Sequence, residues 1–290
     1  MGVLKKLIFR MKKAVAYLTL STTSTSTTWS PQTVTNTGAI LTWDVTGDIT
    51  PTSQNVDDPT FNLSANTGTV NMNVYDVGGL TEFYCNSRNI TTLDVRESIA
   101  LTTLNCGFNS GLTALDVSRN VSLINLYVGL SNLTLLNLST NTSLRILYCF
   151  NNNLTTLDVS TNTELTNLQC FSNNLTALDL STNTSLGLLQ CFDNSITTLN
   201  ISANTLLTSV QCYSNSITTL NISANPLLTT LLCYYNNMSP LVTDQIYIDL
   251  DANGQSNGTL HIRNNRTSAS DTARATLVSR GWTFNESYTT

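Results

Sequence analysis

Seven cysteines, at 85, 106, 149, 170, 191, 212 and 233, are the residues of this 290-residue chain whose type could support metal, redox or nucleophilic chemistry. Their spacing argues against all three. Every interval is 21 residues except one of 43, which spans a position where Val128 stands in place of cysteine. An odd number of regularly spaced thiols fits no disulfide framework. There is no CxxC pair, and His261 is the only histidine, so the ligand spacing of a tetrahedral zinc site is missing. The cysteines read instead as one inward-facing column of small hydrophobes.

The carboxylates offer little more. Asp249-Leu250-Asp251-Ala252-Asn253-Gly254 copies the start of a calcium loop, but its twelfth position is Leu260, where a bidentate glutamate is needed, so the segment reads as a helix end and turn. With one histidine, scattered acids and no glycine-rich phosphate loop, no catalytic set assembles. The chain is therefore expected to be non-enzymatic, with no catalytic residues, no cofactor and no metal. Recognition is what remains.

The elements that must position these residues follow from the 21-residue period. Aligned on the cysteine, eight copies begin at Leu80, Leu101, Leu123, Leu144, Leu165, Leu186, Leu207 and Leu228. The second carries one extra residue, between Asn109 and Leu112. Self-similarity at such a period marks a solenoid. Each copy divides into two related halves, as Leu165-Leu168-Cys170-Asn173 and Leu175-Leu178-Leu180-Asn183 both read LxxLx(L/C)xxN. Alternation in LxC points Leu and Cys inward from a short extended segment, and the following Asn can bond the backbone of a tight turn. Stacked copies place equivalent side chains about 4.8 Å apart. One turn cannot bury its own apolar side, so the ends of the stack need caps.

These motifs resemble the leucine-rich repeat family. More narrowly, they are similar to the 21-residue bacterial variety with two nested LxxLxLxxN motifs, found in many surface and phage proteins of the Bacteroidetes. The resemblance covers residues 80–238. It implies a mainly β fold: a right-handed leucine-rich-repeat solenoid of parallel strands, with an N-terminal β cap and a C-terminal α/β cap.

Four segments result. Residues 1–28 are a basic N-terminal segment with a Ser/Thr linker, and 29–79 are the N-terminal β cap. In that cap, runs around Ile40–Val45 and Thr69–Val74 look extended, and Phe61-Leu63-Asn66 reads as a degenerate first turn. Residues 80–238 are the repeats and 239–290 the C-terminal cap. In the latter, Ser239-Pro240 starts a helix over Leu241–Asp251 that Asn253-Gly254 stops. Leu260-Ile262-Asn265 then gives a strand, Ala269–Arg280 a second helix, and Trp282–Phe284 a last strand. The end segment also looks like the termini of repeat proteins of Bacteroidetes and their phages.

Charge is unevenly placed. Lys5, Lys6, Arg10, Lys12 and Lys13 all lie in the first 13 residues, whereas no Lys or Arg occurs from 146 to 262, against seven acids. A phosphate-binding surface needs cations, so nucleic acid is excluded as a partner of the repeats. At the N-terminus two readings fit. Residues 2–20 have the basic start and short apolar stretch of a secretory signal. As a helix, Leu4, Leu7, Ile8, Met11, Val15 and Leu18 make one stripe with Lys6, Arg10 and Lys13 off it, which suits an anchor, with Met1 retained, on virion proteins or a membrane surface.

Binding residues are expected on the outward columns. The first is Tyr84, Asn105, Tyr127, Tyr148, Gln169, Gln190, Gln211 and Leu232; the second is aromatic from the fourth copy, as Phe150, Phe171, Phe192, Tyr213 and Tyr234. Rings beside amides suit a host surface protein or glycan, unless the rings merely stack on one another. Together with the family resemblance, this gives the expected role: an attachment or structural protein at a phage virion surface, able to form homo-oligomers. The alternative is an exported adhesin, extracellular or on a bacterial cell surface.

Overall fold

A computed structural model of the chain describes residues 18–22, 32–35, 41–46, 70–76 and 80–287, in two compact units, 1–133 and 134–290. The basic residues Lys5, Lys6, Arg10, Lys12 and Lys13, and the motif beginning at Phe61, lie outside the described residues.

In the first unit, strands β1 (Leu18–Thr22), β3 (Leu41–Thr46), β4 (Val70–Asp76) and β6 (Ile90–Asp94) form an antiparallel sheet ordered β3-β4-β1-β6. Two of these are the extended runs expected around residues 40 and 70. β1 is a correction: Leu18, placed by sequence at the end of a helical stripe, belongs to a strand, where Leu20 pairs with Met72 on one side and Leu93 on the other. The run Leu18–Thr22 is rich in β-branched threonine and gains backbone partners on both edges, which outweighs its place in a helical pattern. A second sheet holds β2 (Gln32–Thr35) antiparallel to β5 (Leu80–Tyr84), then β7 (Thr103–Asn105) and β8 (Asn125–Tyr127) in parallel.

The second unit is a solenoid. Its strands β9 (Ile146–Tyr148), β10 (Asn167–Gln169), β11 (Leu188–Gln190), β12 (Ser209–Gln211), β13 (Thr230–Leu232), β14 (Thr259–His261) and β15 (Thr283–Asn285) pair in parallel in sequence order. Each strand from β9 to β13 is three residues long. In the fifth copy Leu165, Leu168, Cys170, Leu175, Leu178 and Leu180 are all buried. Full burial of a Leu side chain contributes about 2 kcal/mol.

Two asparagine spines carry the polar half of the interior. In the first, Asn173 Nδ2 donates to Cys149 O and Cys170 O, both at 3.1 Å, while its Oδ1 accepts from Leu154 N in the preceding turn at 3.1 Å. Asn194, Asn215 and Asn236 repeat the pattern toward Leu175, Ile196 and Ile217. In the second spine Asn183 Nδ2 donates to Val159 O and Asn162 O, and Asn204 and Asn225 continue it. Each Nδ2 offsets its desolvation with two or more bonds to backbone, and the first spine satisfies Oδ1 as well, whereas Oδ1 of Asn183, Asn204 and Asn225 is buried without a partner.

The turn after each cysteine, and after Val128, contains a residue in the left-handed region two positions on: Ser87, Phe108, Leu130, Asn151, Ser172, Asp193, Ser214 and Tyr235 have φ of 49–58°. None is glycine. In the first unit the glycines fall one position earlier, at Gly107 and Gly129, where a Cβ on Gly107 would sit 2.8 Å from Gly129 O. That contact explains why the outward column after the cysteine holds no ring in the second copy.

Helix α1 (Pro240–Asn253) begins and ends as its sequence signals require. Ser239 caps its start by accepting from Val242 N, and Gly254 closes it at φ 76° with its N–H bonded to Asp251 O. Its last residue does more: Asn253 Nδ2 donates to Asn225 O at 3.2 Å and Ile222 O at 3.5 Å, supplying the next member of the second spine from a helix end. A short 3₁₀ turn (Ser268–Ser270) and helix α2 (Asp271–Ser279) follow where the sequence gives one helix over Ala269–Arg280. Asp244, 3 % exposed, ties the 3₁₀ turn to α1 by accepting from Thr267 N, Thr267 Oγ1 and Ser270 Oγ.

Candidate recognition surface

Strand alternation leaves three half-buried columns on one face of the second unit's sheet, and the sequence columns are two of them. Tyr148, Gln169, Gln190, Gln211 and Leu232 align in register, one per strand. His261 extends the line, pairing with Leu232. Its place was legible in Leu260-His261-Ile262, which repeats the LxC alternation, but its isolation as the only histidine drew attention to metal chemistry instead. The column before the buried leucine, Ile146, Asn167, Leu188, Ser209 and Thr230, was missed altogether; the same alternation predicts it.

Rings of the second column stack face to face. Phe150–Phe171, Phe171–Phe192, Phe192–Tyr213 and Tyr213–Tyr234 have centroids 4.6, 4.3, 4.3 and 4.5 Å apart, with planes within 10° of parallel. The strand spacing sets that separation. Interior rings therefore spend both faces on neighbours and present edges outward. Tyr235 adds an edge-on ring 5.0 Å from Tyr234, a contact its turn position hides in the sequence.

The remaining sequence candidates lie in the first unit. Tyr84, Asn105 and Tyr127 align on β5, β7 and β8. The Tyr84 hydroxyl donates to Glu82 Oε2 at 2.6 Å, and that bond is the main cause of a phenol pushed up to about 12.

The cysteine column is fully buried and every thiol is free. Burial pushes Cys106, Cys149 and Cys212 up to about 12, so these groups stay protonated and unreactive at neutral pH. On the other half-repeat, the side chain and backbone N–H of Ser160 and of Ser181 hold the Asp158 and Asp179 carboxyls below the usual range, with the backbone bonds at 2.9 Å. Of the calcium-like segment, Asp251 pairs with Arg280 at 3.0 Å and Asp249 accepts from Gln245. Among the described residues no group of three or more His, Cys, Asp or Glu side chains could hold a metal.

No protein-family model matches the chain, and no curated protein is significantly similar to it in sequence. Solved structures do match. An internalin of Listeria monocytogenes, InlF, superposes with a TM-score of 0.59 at 19 % identity, over 68 % of this chain and 56 % of that one. A leucine-rich repeat protein of Leptospira interrogans gives 0.53 at 18 %, over 66 % and 56 %. The fold is a leucine-rich-repeat solenoid. The functional domain of InlJ from Listeria monocytogenes, described as including a cysteine ladder, is 34 % identical over 64 % of this chain and 44 % of its own, with a TM-score of 0.49. The chain spans about half the length of these leucine-rich-repeat structures.

Proposed function

We propose that the chain is a non-enzymatic recognition protein whose solenoid face binds a protein on a host surface. One observation carries this reading: the face is a three-column array free of charge, with amides at Gln169, Gln190 and Gln211 between apolar and ring columns. Neutral, half-buried side chains cost little to desolvate, and the strand backbone holds them in place. The ring stack favours protein over glycan, because a sugar can lie flat only on a ring face and the interior faces are occupied.

The family resemblance of the repeats and end segment supports placing the protein on a phage particle, with the basic N-terminal segment as its attachment to the virion. An exported surface adhesin is the competing assignment, supported by the internalin likeness in fold. Intact mass and N-terminal sequence of native protein, fractionated into cells, medium and particles, separate the two. Intact Met1 in particles supports the virion reading; a start after Leu20 on cells overturns it.

The binding surface is tested by cross-linking the full chain to intact host cells beside a Gln190→Lys/Gln211→Lys variant. A surface protein captured by the parent and lost from the variant is expected. Equal capture by both overturns the assignment of this face.

A further inference from the structure

Away from the three columns, a groove of about 490 Å³ opens between α1 and the second halves of the sixth and seventh copies. Leu199 and Leu220, each 4 % exposed, form its floor, and Leu241 and Val242 from the first turn of α1 form a wall. Leu241 is 77 % exposed, an unusual position for leucine beside an apolar floor. Asn200, Thr219, Asn221 and Ser223 of the repeats also line it, as do Gln245 and Asp249 one and two turns along the helix.

Asp249 is the informative member. The residue is 7 % exposed, and Oδ1 accepts from Gln245 Nε2 at 2.7 Å, a neutral donor. The ion pairs among the described residues use other carboxylates. From residue 146 to 262 the chain carries seven acids and neither Lys nor Arg. A buried carboxylate hydrogen-bonded by a neutral amide is costly unless a cation completes it.

We propose that this groove is a second binding site, which receives a lysine side chain from a partner protein. The four-carbon stem lies on Leu199 and Leu220 under Leu241, and the ammonium meets Asp249. Lysine fits better than arginine. One carboxylate oxygen is already engaged by Gln245, so a single point charge is served where a planar two-pronged fork is not. The site stands apart from the sheet face and does not depend on the function assigned to it.

The test uses the full chain and an acetylated, amidated peptide, Ala-Val-Lys-Val-Ala, beside its norleucine counterpart. Methyl and side-chain amide NMR signals of Leu199, Leu220 and Gln245 report binding. The lysine peptide is expected to shift these signals with an affinity that falls as salt rises. The norleucine peptide, and the lysine peptide on Asp249→Asn, should each bind about tenfold more weakly or worse. The Asn variant keeps an acceptor for Gln245, and Gln190→Lys should leave the site intact. Equal binding of the two peptides to the parent chain would reduce the groove to an apolar cleft and overturn the proposal, as would absence of any shift at millimolar lysine peptide.

Discussion

Replacing Asn173 with alanine tests whether the first spine holds the solenoid together. The variant removes one acceptor and one amide donor from the interior. Leu154 N loses the Asn173 Oδ1 acceptor, and as a buried N–H left unsatisfied it costs about 1–3 kcal/mol. The carbonyls fare better: Cys149 O still receives Asn152 Nδ2 at 3.1 Å, and Cys170 O still receives Asn194 Nδ2 at 3.1 Å. Their share is the ordinary net value of a lost bond, about 0.5–1.5 kcal/mol. The total is about 1.5–4.5 kcal/mol, read from urea unfolding followed by circular dichroism. Asn174→Ala is the control. Its side chain is exposed, and its backbone N–H keeps its bond to Leu154 O, so it should stay within about 0.5 kcal/mol of the parent. A loss for Asn173→Ala no larger than that of the control would refute the spine as a source of stability.

Phe192→Ala removes a ring stacked on both sides, and should cost about 1–3 kcal/mol beyond its buried area in the same unfolding experiment, since each aromatic pair contributes about 0.5–1.5 kcal/mol. Thiol reagents should leave the native chain unlabelled at neutral pH and modify all seven cysteines in denaturant; labelling without unfolding would contradict their burial. Because burial raises the folded-state thiol above its ordinary 9.0, stability should hold below that pH and decline as pH rises past it, when unfolded thiols ionise and folded ones resist. Leu130→Gly should raise the melting temperature, worth about 1 kcal/mol, by relieving a left-handed leucine at φ 56°; a lower melting temperature would mean that the leucine side chain contributes more than the strain costs.

Much of this arrangement can be read from the period. Leu165, Leu168 and Cys170 are inward because extended chain alternates, and Ser239-Pro240 and Asn253-Gly254 bracket a helix because caps have local chemistry. What escaped the sequence is non-local or chemically mixed. The left-handed positions carry Phe, Leu, Asn, Ser, Asp and Tyr, so no residue type marks them; the turn imposes the conformation and the stack pays for it. β1 is built by partners some 50 and 70 residues away, at Val70–Asp76 and Ile90–Asp94. Asn253 joins a spine from a helix, with no repeat motif around it. For the sheet face, two columns were legible by alternation, but whether the rings of Phe150, Phe171 and Phe192 meet a ligand or each other depends on inter-strand distance, which a sequence states only through the fold.

The first spine also has a direction. Each Asn completes the backbone of the turn before it, across a separation of 19 residues. During synthesis from the N-terminus, a newly made turn therefore holds an unfilled amide until nearly a whole further turn has left the ribosome. Growth is templated from behind but sealed from in front, so at any moment the nascent solenoid has a single unfinished turn at its leading end. Asn265, beyond β14, ends this sequence of incomplete turns: its Nδ2 donates to Met238 O, and its Oδ1 accepts from Thr243 Oγ1 of α1 instead of from a backbone N–H.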